Sequence, residues 1–112
     1  MKIAIIGSGN VGSALAQGWT RAGHEITLGV RDKLNFKGSQ LRDDRNIAVD
    51  TIPAAVSKSE VIVIAAVPQA VFSIVDSMGD VSSKIIIDTM NSVRVKPEPY
   101  SNTTEALMHL TT

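Results

Sequence analysis

Short runs of apolar, mostly β-branched residues recur along the chain and predict five β-strands. The longest run, at 61–67, is continuously apolar rather than alternating, which is typical of a strand covered on both faces of a parallel sheet. The predicted strands span 2–6, 25–30, 47–49, 61–67 and 84–88.

Segments with helical periodicity separate these strands. After the first run, apolar or small side chains recur at positions 11, 14, 15, 18, 19 and 22, which is the spacing of one helix face. A further helix is predicted at 71–79, and a short one is predicted after Asp50 or Thr51, with a proline in its first turn. Residues 102–105 have the spacing of a capping box and predict a final helix through Leu110. The polar segment 31–46 predicts a loop with one turn of helix.

The alternation of strands and helices predicts an α/β fold in which a single layer of parallel sheet lies between helices. Because crossovers between parallel strands are right-handed, the order of elements favours a Rossmann-type, doubly wound sheet with strand order 3-2-1-4-5. No linker or internal repeat divides the chain, so residues 1–112 form one predicted domain.

The composition excludes several classes of function. Eleven Lys and Arg offset eleven Asp and Glu, and this net charge of zero argues against nucleic acid or an anionic membrane surface as a partner. The absence of cysteine excludes disulfides, thiol nucleophiles and Cys-ligated metals, and two histidines are too few for a metal site. No apolar run approaches the ~18 residues of a membrane helix, and no signal-peptide core is present. We therefore expect a cytoplasmic protein.

The first predicted strand is followed by Gly7-Ser8-Gly9-Asn10-Val11-Gly12, which matches the pattern G-x-G-x-x-G. Because this segment joins a predicted strand to a predicted helix, it stands in the context that a dinucleotide-binding turn requires. Gly7 permits the tight turn, Gly9 lets a pyrophosphate approach the backbone, and Gly12 allows close packing of the helix. The first N–H groups of the helix then face the phosphates. A glycine-rich turn without a ligand is the alternative.

The end of the second predicted strand indicates which dinucleotide is bound. NAD-specific sites place Asp or Glu there, to accept a hydrogen bond from the ribose 2′-hydroxyl. Here Val30 stands at that position and Arg31 follows it, so the residues favour NADP(H) over NAD(H), with the guanidinium on the 2′-phosphate. In the alternative hypothesis Arg31 is an ordinary solvated charge, and it can also pair with Asp32.

Several segments together resemble the NADP oxidoreductases that use the deazaflavin coenzyme F-420. The resemblance is carried by residues 1–12, 23–29, Arg31, 67–68 and 88–91.

The resemblance assigns roles to individual residues. It implies that Ser8, Asn10 and Val11 contact the phosphates and that Arg31 binds the 2′-phosphate. It also implies cofactor contacts after the fourth and fifth strands. The residues there are Val67, Pro68 and Asn91, with Pro68 and Asn91 toward the nicotinamide. The chain departs from the family pattern at Val30, where a hydroxyl residue often helps to hold the phosphate, and at Asp32, where a second Arg can stand.

These features predict the NADP(H)-binding domain of an oxidoreductase that transfers a hydride to or from a second redox carrier or small substrate. The resemblance implies a deazaflavin or a flavin as that second substrate. Hydride transfer between carriers needs mainly proximity and orientation, and the sequence identifies no catalytic residue. Asp88, at the end of the fifth strand, either caps the following loop or contacts the cofactor.

Two alternatives remain open at this point. One is a non-catalytic dinucleotide-binding or redox-sensing module. The other is the cofactor domain of an enzyme similar to pyrroline-5-carboxylate reductases or β-hydroxyacid dehydrogenases, which share the N-terminal pattern more loosely.

The resemblance further implies a sixth strand and a C-terminal helical segment that builds the second-substrate pocket and the dimer. The sequence ends at Thr112, where that strand would begin. We therefore expect a cofactor domain with little or no oxidoreductase activity of its own. A homo-oligomer is compatible with this expectation, although no residue of the chain supports one.

Overall fold

The computed structural model of this chain describes residues 1–7, 9–33, 46–91 and 95–111. The strands are β1 Lys2–Ile6, β2 Glu25–Val30, β3 Ile47–Thr51, β4 Val61–Ile64 and β5 Ile85–Asp88. The helices are α1 Asn10–Arg21, α2 Ile52–Ser57, α3 Val71–Met78 and α4 Thr103–Leu110. A short 3-10 turn, Pro68–Ala70, leads into α3. The predicted turn of helix within 31–46 falls largely outside the described residues.

All five strands lie parallel in one sheet with the order β3-β2-β1-β4-β5, so the predicted fold class is confirmed. β1 lies at the centre, where Ile6 pairs with Gly29 on one side and with Ile64 on the other. The chain winds outward from β1 to β3, then crosses back to β4 and continues to β5. The winding direction therefore reverses between β1 and β4, which is the point where open α/β sheets bind ligands.

Each face of the sheet carries its own apolar core. On one face, β1 and β4 pack with α2, α3 and α4 around Ile6, Ile64 and Ile74. On the other face, side chains such as Leu28 pack with α1 through the fully buried Ala16. Burying one large aliphatic side chain contributes roughly 1.5–3 kcal/mol, so these two cores hold the carboxyl ends of the strands in a fixed arrangement.

β4 is shorter than the apolar run predicts. The pattern predicts a strand to Val67, but β4 ends at Ile64, so that boundary is wrong. The amide of Ala65 still donates to the carbonyl of Ile6 at 2.8 Å, and beyond that bond β1 turns away at Gly7. Residues 65–67 therefore leave the sheet at its carboxyl edge. β3, in contrast, extends to 51 because it stays paired with β2 to that point.

The predicted caps are present at two helices. The side chain of Thr51 accepts a hydrogen bond from the amide of Ala54 at 3.4 Å and begins α2. The side chain of Asn102 accepts from the amide of Glu105 at 2.8 Å and begins α4. The Glu105 carboxylate in turn accepts from the amide of Ser101 at 2.9 Å, one residue earlier than in the usual capping box.

None of the described helices is long and apolar enough to cross a membrane. In the same residues, no three His, Asp or Glu side chains come together in a way that could hold a metal ion. At the surface, the Asp50 carboxylate lies 3.6 Å from the ammonium of Lys33 and 3.5 Å from that of Lys58.

Candidate functional site

A cleft of about 710 Å³ opens at the carboxyl edge of the sheet, where the winding direction reverses. It is bounded by the ends of β1, β2 and β4, by the N-terminus of α1, and by residues of α2 and α3. The predicted site residues that line it are Gly7, Gly9, Asn10, Val11, Val30, Arg31 and Val67. The fold thus brings together residues that are up to sixty positions apart in the sequence.

A second cavity, of about 540 Å³, lies at the opposite edge of the sheet and includes Lys2, His24 and Lys58 in its lining. Ligands of open α/β sheets bind outside the carboxyl ends of the strands, at the reversal of winding. The cavity at the amino edge does not meet that condition. The cleft at the carboxyl edge is therefore the candidate site.

The turn between β1 and α1 depends on two glycines that have no room for a side chain. Gly7 has a φ of +103°, and a Cβ there would stand 2.5 Å from the carbonyl oxygen of Ala65. A Cβ on Gly12 would overlap the carbonyl oxygen of Gly7 and would also meet the side chain of Ile5. Gly12 is buried behind the turn rather than in the cleft, so its part in the site is to let α1 approach β1.

The N-terminus of α1 opens into the cleft. Its N-cap is Gly9, which has no side chain to accept the first helical N–H groups, and the first turn contains no acidic residue. A Cβ on Gly9 would meet nothing within 4 Å, so this glycine faces open space. Val11 is 53% exposed there, although valine is normally buried. Unsatisfied N–H groups and the positive end of the helix dipole make such a terminus suitable for an anion.

The end of β2 forms the other side of the cleft. Val30 is 5% exposed and its side chain packs in the α1-side core, whereas Arg31 is exposed. The guanidinium of Arg31 donates from Nη2 to the hydroxyl oxygen of Ser73 on α3 at 2.6 Å. The guanidinium of Arg31 is therefore restrained by a hydrogen bond to a residue 42 positions away, rather than only solvated. Sequence analysis assigns no role to Ser73, because nothing local links α3 to the end of β2.

The segment that follows β4 supplies the remaining wall. Ala65 and Ala66 line the cleft beside Val67, which is 55% exposed. Sequence analysis singles out only Val67 from this segment, because it predicts a strand that continues through the two alanines. The rule that the carboxyl ends of parallel strands meet at one edge would have indicated all three.

Besides Gly12, three predicted site residues are not among those that line the described cleft. Pro68 begins the 3-10 turn before α3, and Asn91 is exposed after β5. Ser8 lies outside the described residues. Their roles toward a cofactor stay predictions.

Asp88 is engaged in holding the fold together. One of its carboxylate oxygens accepts from the amide of Met90 at 2.8 Å. The other accepts from the hydroxyls of Thr103 at 2.6 Å and Thr104 at 2.7 Å, which ties the end of β5 to the start of α4. Of the two roles that the sequence leaves open for Asp88, the structure supports the capping of the following segment.

Comparison with known proteins identifies the family. The family model described as "NADP oxidoreductase coenzyme F420-dependent" matches residues 2–92. The chain belongs to this family. This match and the sheet order identify the chain as an NADP-binding domain of an oxidoreductase.

Two curated proteins are similar in sequence over the same region. The chain is 35% identical over 98 residues to a glycerol-3-phosphate dehydrogenase [NAD(P)+] of Thermoanaerobacter sp. (strain X514), covering 78% of this chain and 30% of the dehydrogenase. It is 35% identical over 80 residues to a pyrroline-5-carboxylate reductase of Mycobacterium leprae (strain TN), covering 70% of this chain and 26% of the reductase. The chain thus spans less than a third of the length of either protein.

One solved structure agrees with the family assignment, and another shares the fold. A proposed F420-dependent NADP reductase from Arthrobacter sp. FB24 superposes with a TM-score of 0.75 at 28% identity, covering 81% of this chain and 45% of that one. A reductive aminase of Aspergillus terreus, solved with NADPH and ethyl levulinate, superposes with a TM-score of 0.73 at 21% identity, covering 98% of this chain and 36% of that one. The second likeness is one of fold.

Proposed function

We propose that this chain binds NADP(H) in the cleft at the carboxyl edge of the sheet, as the cofactor domain of a hydride-transferring oxidoreductase. One observation carries the proposal: the uncapped N-terminus of α1, after β1, and Arg31, after β2, line the same cleft. A dinucleotide phosphate needs partners at two such points, one for the pyrophosphate and one for the ribose end.

The pyrophosphate is assigned to the N-terminus of α1. The N–H groups of Asn10 and Val11 begin the helix, and Gly9 leaves open space in front of them. Backbone donors and the helix dipole favour an anion at this position and need no cationic side chain. Ser8 is proposed as a further contact, from the resemblance to the family.

The 2′-phosphate is assigned to Arg31. No carboxylate occupies position 30 to accept from a ribose hydroxyl or to repel a phosphate, and the buried Val30 leaves the next residue at the edge of the cleft. A guanidinium matches a phosphate in charge and in bidentate geometry. We therefore propose NADP(H) rather than NAD(H) as the preferred cofactor.

The nicotinamide is assigned to the side of the cleft formed after β4, near Val67, with Pro68 and Asn91 beyond it. Bound NADP(H) would supply the hydride, and the role of the chain is to hold the cofactor and orient its ring. A deazaflavin or flavin is the proposed second substrate, from the family. The F420-dependent relative of known structure is about twice as long as the matched region, so the pocket for that substrate is proposed to include residues outside this chain.

Calorimetric titration of the chain with NADP and with NAD at one salt concentration tests the proposal. We expect one site that prefers NADP, and we expect Gly9→Val to abolish it while leaving the melting temperature nearly unchanged, because position 9 faces open space. Gly18→Ala, an equally unobstructed glycine farther along α1, is the matched control and should bind like the parent. Unchanged binding in Gly9→Val would show that this turn is not the phosphate site.

A further inference from the structure

The contact between Arg31 and Ser73 joins two elements that both reach the cleft. Arg31 follows β2, whereas Ser73 lies in the first turn of α3, 42 residues away. The 2.6 Å separation of Nη2 and Oγ is just below the ~2.7–2.9 Å usual for a hydrogen bond from a charged N–H donor, so the two groups are in close contact. The contact thus ties the only cation that lines the described cleft to a helix that forms part of its wall.

The Ser73 hydroxyl is oriented to accept from the guanidinium. Its own hydrogen is directed at the carbonyl oxygen of Ala70, which lies 3.3 Å away, one turn earlier in the chain. A hydroxyl that donates to the backbone presents its lone pairs outward, so its oxygen serves as an acceptor for Arg31. Ala70 itself lines the cleft, so the Ser73 hydroxyl that binds its carbonyl lies beside the site.

The contact leaves the guanidinium able to bind a phosphate. An arginine has five N–H donors in a planar fork, and Ser73 uses one of them. Four donors remain, and a bidentate phosphate contact uses two. An exposed arginine loses much rotamer freedom when it binds a ligand, and a side chain that is already restrained loses less.

We infer that Ser73 is a positioning residue for NADP(H), which acts by holding Arg31 in the orientation that binds the 2′-phosphate. This inference rests on the proposed function. It predicts that Ser73 contributes to the preference for NADP over NAD without touching the cofactor. The alternative is that the Ser73 hydroxyl competes with the phosphate for the guanidinium. Removal of the hydroxyl would then strengthen NADP binding.

The experiment is calorimetric titration of Ser73→Ala with NADP and NAD, using the full chain. We expect NADP binding to weaken about three- to tenfold, since the contact is exposed, and NAD binding to stay unchanged. Ser73→Thr keeps the hydroxyl and should restore most of the NADP affinity. Ser77→Ala is the matched control, because that hydroxyl lies one turn farther along α3 and donates to the Ser73 carbonyl at 3.0 Å.

A double variant separates positioning from a general effect on the cleft. In the Arg31→Ala background, Ser73→Ala should cause no further loss of NADP affinity, because its effect passes through the guanidinium. Unchanged or stronger NADP binding in Ser73→Ala, or equal losses for NADP and NAD, would overturn the inference. If Arg31→Ala loses NADP preference while Ser73→Ala does not, the inference fails and the proposed function stands. If the parent chain does not bind NADP, both fail.

Discussion

The carbonyl oxygen of Gly7 occupies the space that a Cβ on Gly12 would need. This contact sets how closely α1 approaches the end of β1, and so where the N-terminus of the helix lies relative to the cleft. Gly18, in the same helix, has nothing within 4 Å of the corresponding position. Position 12 therefore has no room for a side chain, whereas position 18 does.

Gly12→Ala is expected to destabilise the protein and Gly18→Ala to stabilise it. The first forces backbone against backbone, which should cost more than ~2 kcal/mol in the free energy of unfolding. The second removes a flexible residue from a helix interior and should add about 0.5–1 kcal/mol. Urea denaturation of both variants checks this prediction. Equal stabilities would show that α1 moves away from the turn at little cost.

Arg31→Ala is expected to narrow the gap between NADP and NAD affinities. A hydrogen bond to a charged group is worth ~1.5–3 kcal/mol, which corresponds to a roughly ten- to hundredfold loss of NADP affinity. The exposure of Arg31 places the expected loss near the lower end. NAD has only a hydroxyl at this position and should lose little.

Calorimetric titration with both nucleotides measures the effect, with Arg21→Ala at the exposed end of α1 as the control for losing one positive charge. Equal losses for NADP and NAD in Arg31→Ala would mean that Arg31 supports the cleft rather than selects the phosphate. Val30→Asp should shift the preference toward NAD. Because Val30 is 5% exposed, this variant is also expected to be less stable, and its melting temperature must be measured alongside.

Thr103→Val is expected to destabilise the protein more than Thr104→Val does. Both hydroxyls donate to the same oxygen of Asp88, at 2.6 and 2.7 Å, but Thr103 is 1% exposed and Thr104 is exposed. Loss of the buried donor leaves the carboxylate short of a partner that water does not readily replace, at a cost of about 1–3 kcal/mol. Thermal unfolding of the two variants measures the difference. A larger effect at Thr104 would contradict the view that burial decides the strength of this anchor.

Asp50 is expected to make stability depend on pH in the acid range. The amide of Thr51 donates to its carboxylate at 2.8 Å and, together with the charges of Lys33 and Lys58, holds the pKa of Asp50 below its usual value of 3.8. A carboxyl whose pKa is lower in the folded state stabilises that state above the unfolded pKa. This contribution is lost as the pH falls through the folded pKa.

The variant Asp50→Asn should therefore have a lower melting temperature than the parent at neutral pH. The difference should shrink as the pH falls below 3.8 and vanish once the pH has fallen through the lower pKa of the folded state. High salt should reduce the part that comes from the two lysines. Asp76→Asn, at an exposed position of α3, is the control. A difference that stays constant with pH would show that the charge of Asp50 is not involved.

The fold followed from local patterns to a large extent. Periodicity indicated all five strands, the right-handed crossover rule indicated their order, and capping residues indicated the helix starts at Thr51 and Asn102. Such signals are local, because a strand or a helix face repeats within a few residues of itself. The predicted end of β4 was wrong because local signals do not show the neighbouring strand. An apolar residue stays in a sheet only where a neighbouring strand pairs with it, and β1 turns out of the sheet at Gly7.

The sequence by itself determined the sheet, the glycine turn and the positions of Val30 and Arg31 at the end of β2. Only the tertiary structure decided that β4 ends before Ala65, that Asp88 anchors α4, and that Arg31 is held by Ser73. The physical reason is distance along the chain. The contacts of Asp88 and Arg31 join residues that are 15 or more positions apart. Whether such residues come together depends on how the strands and helices pack, not on any local repeat.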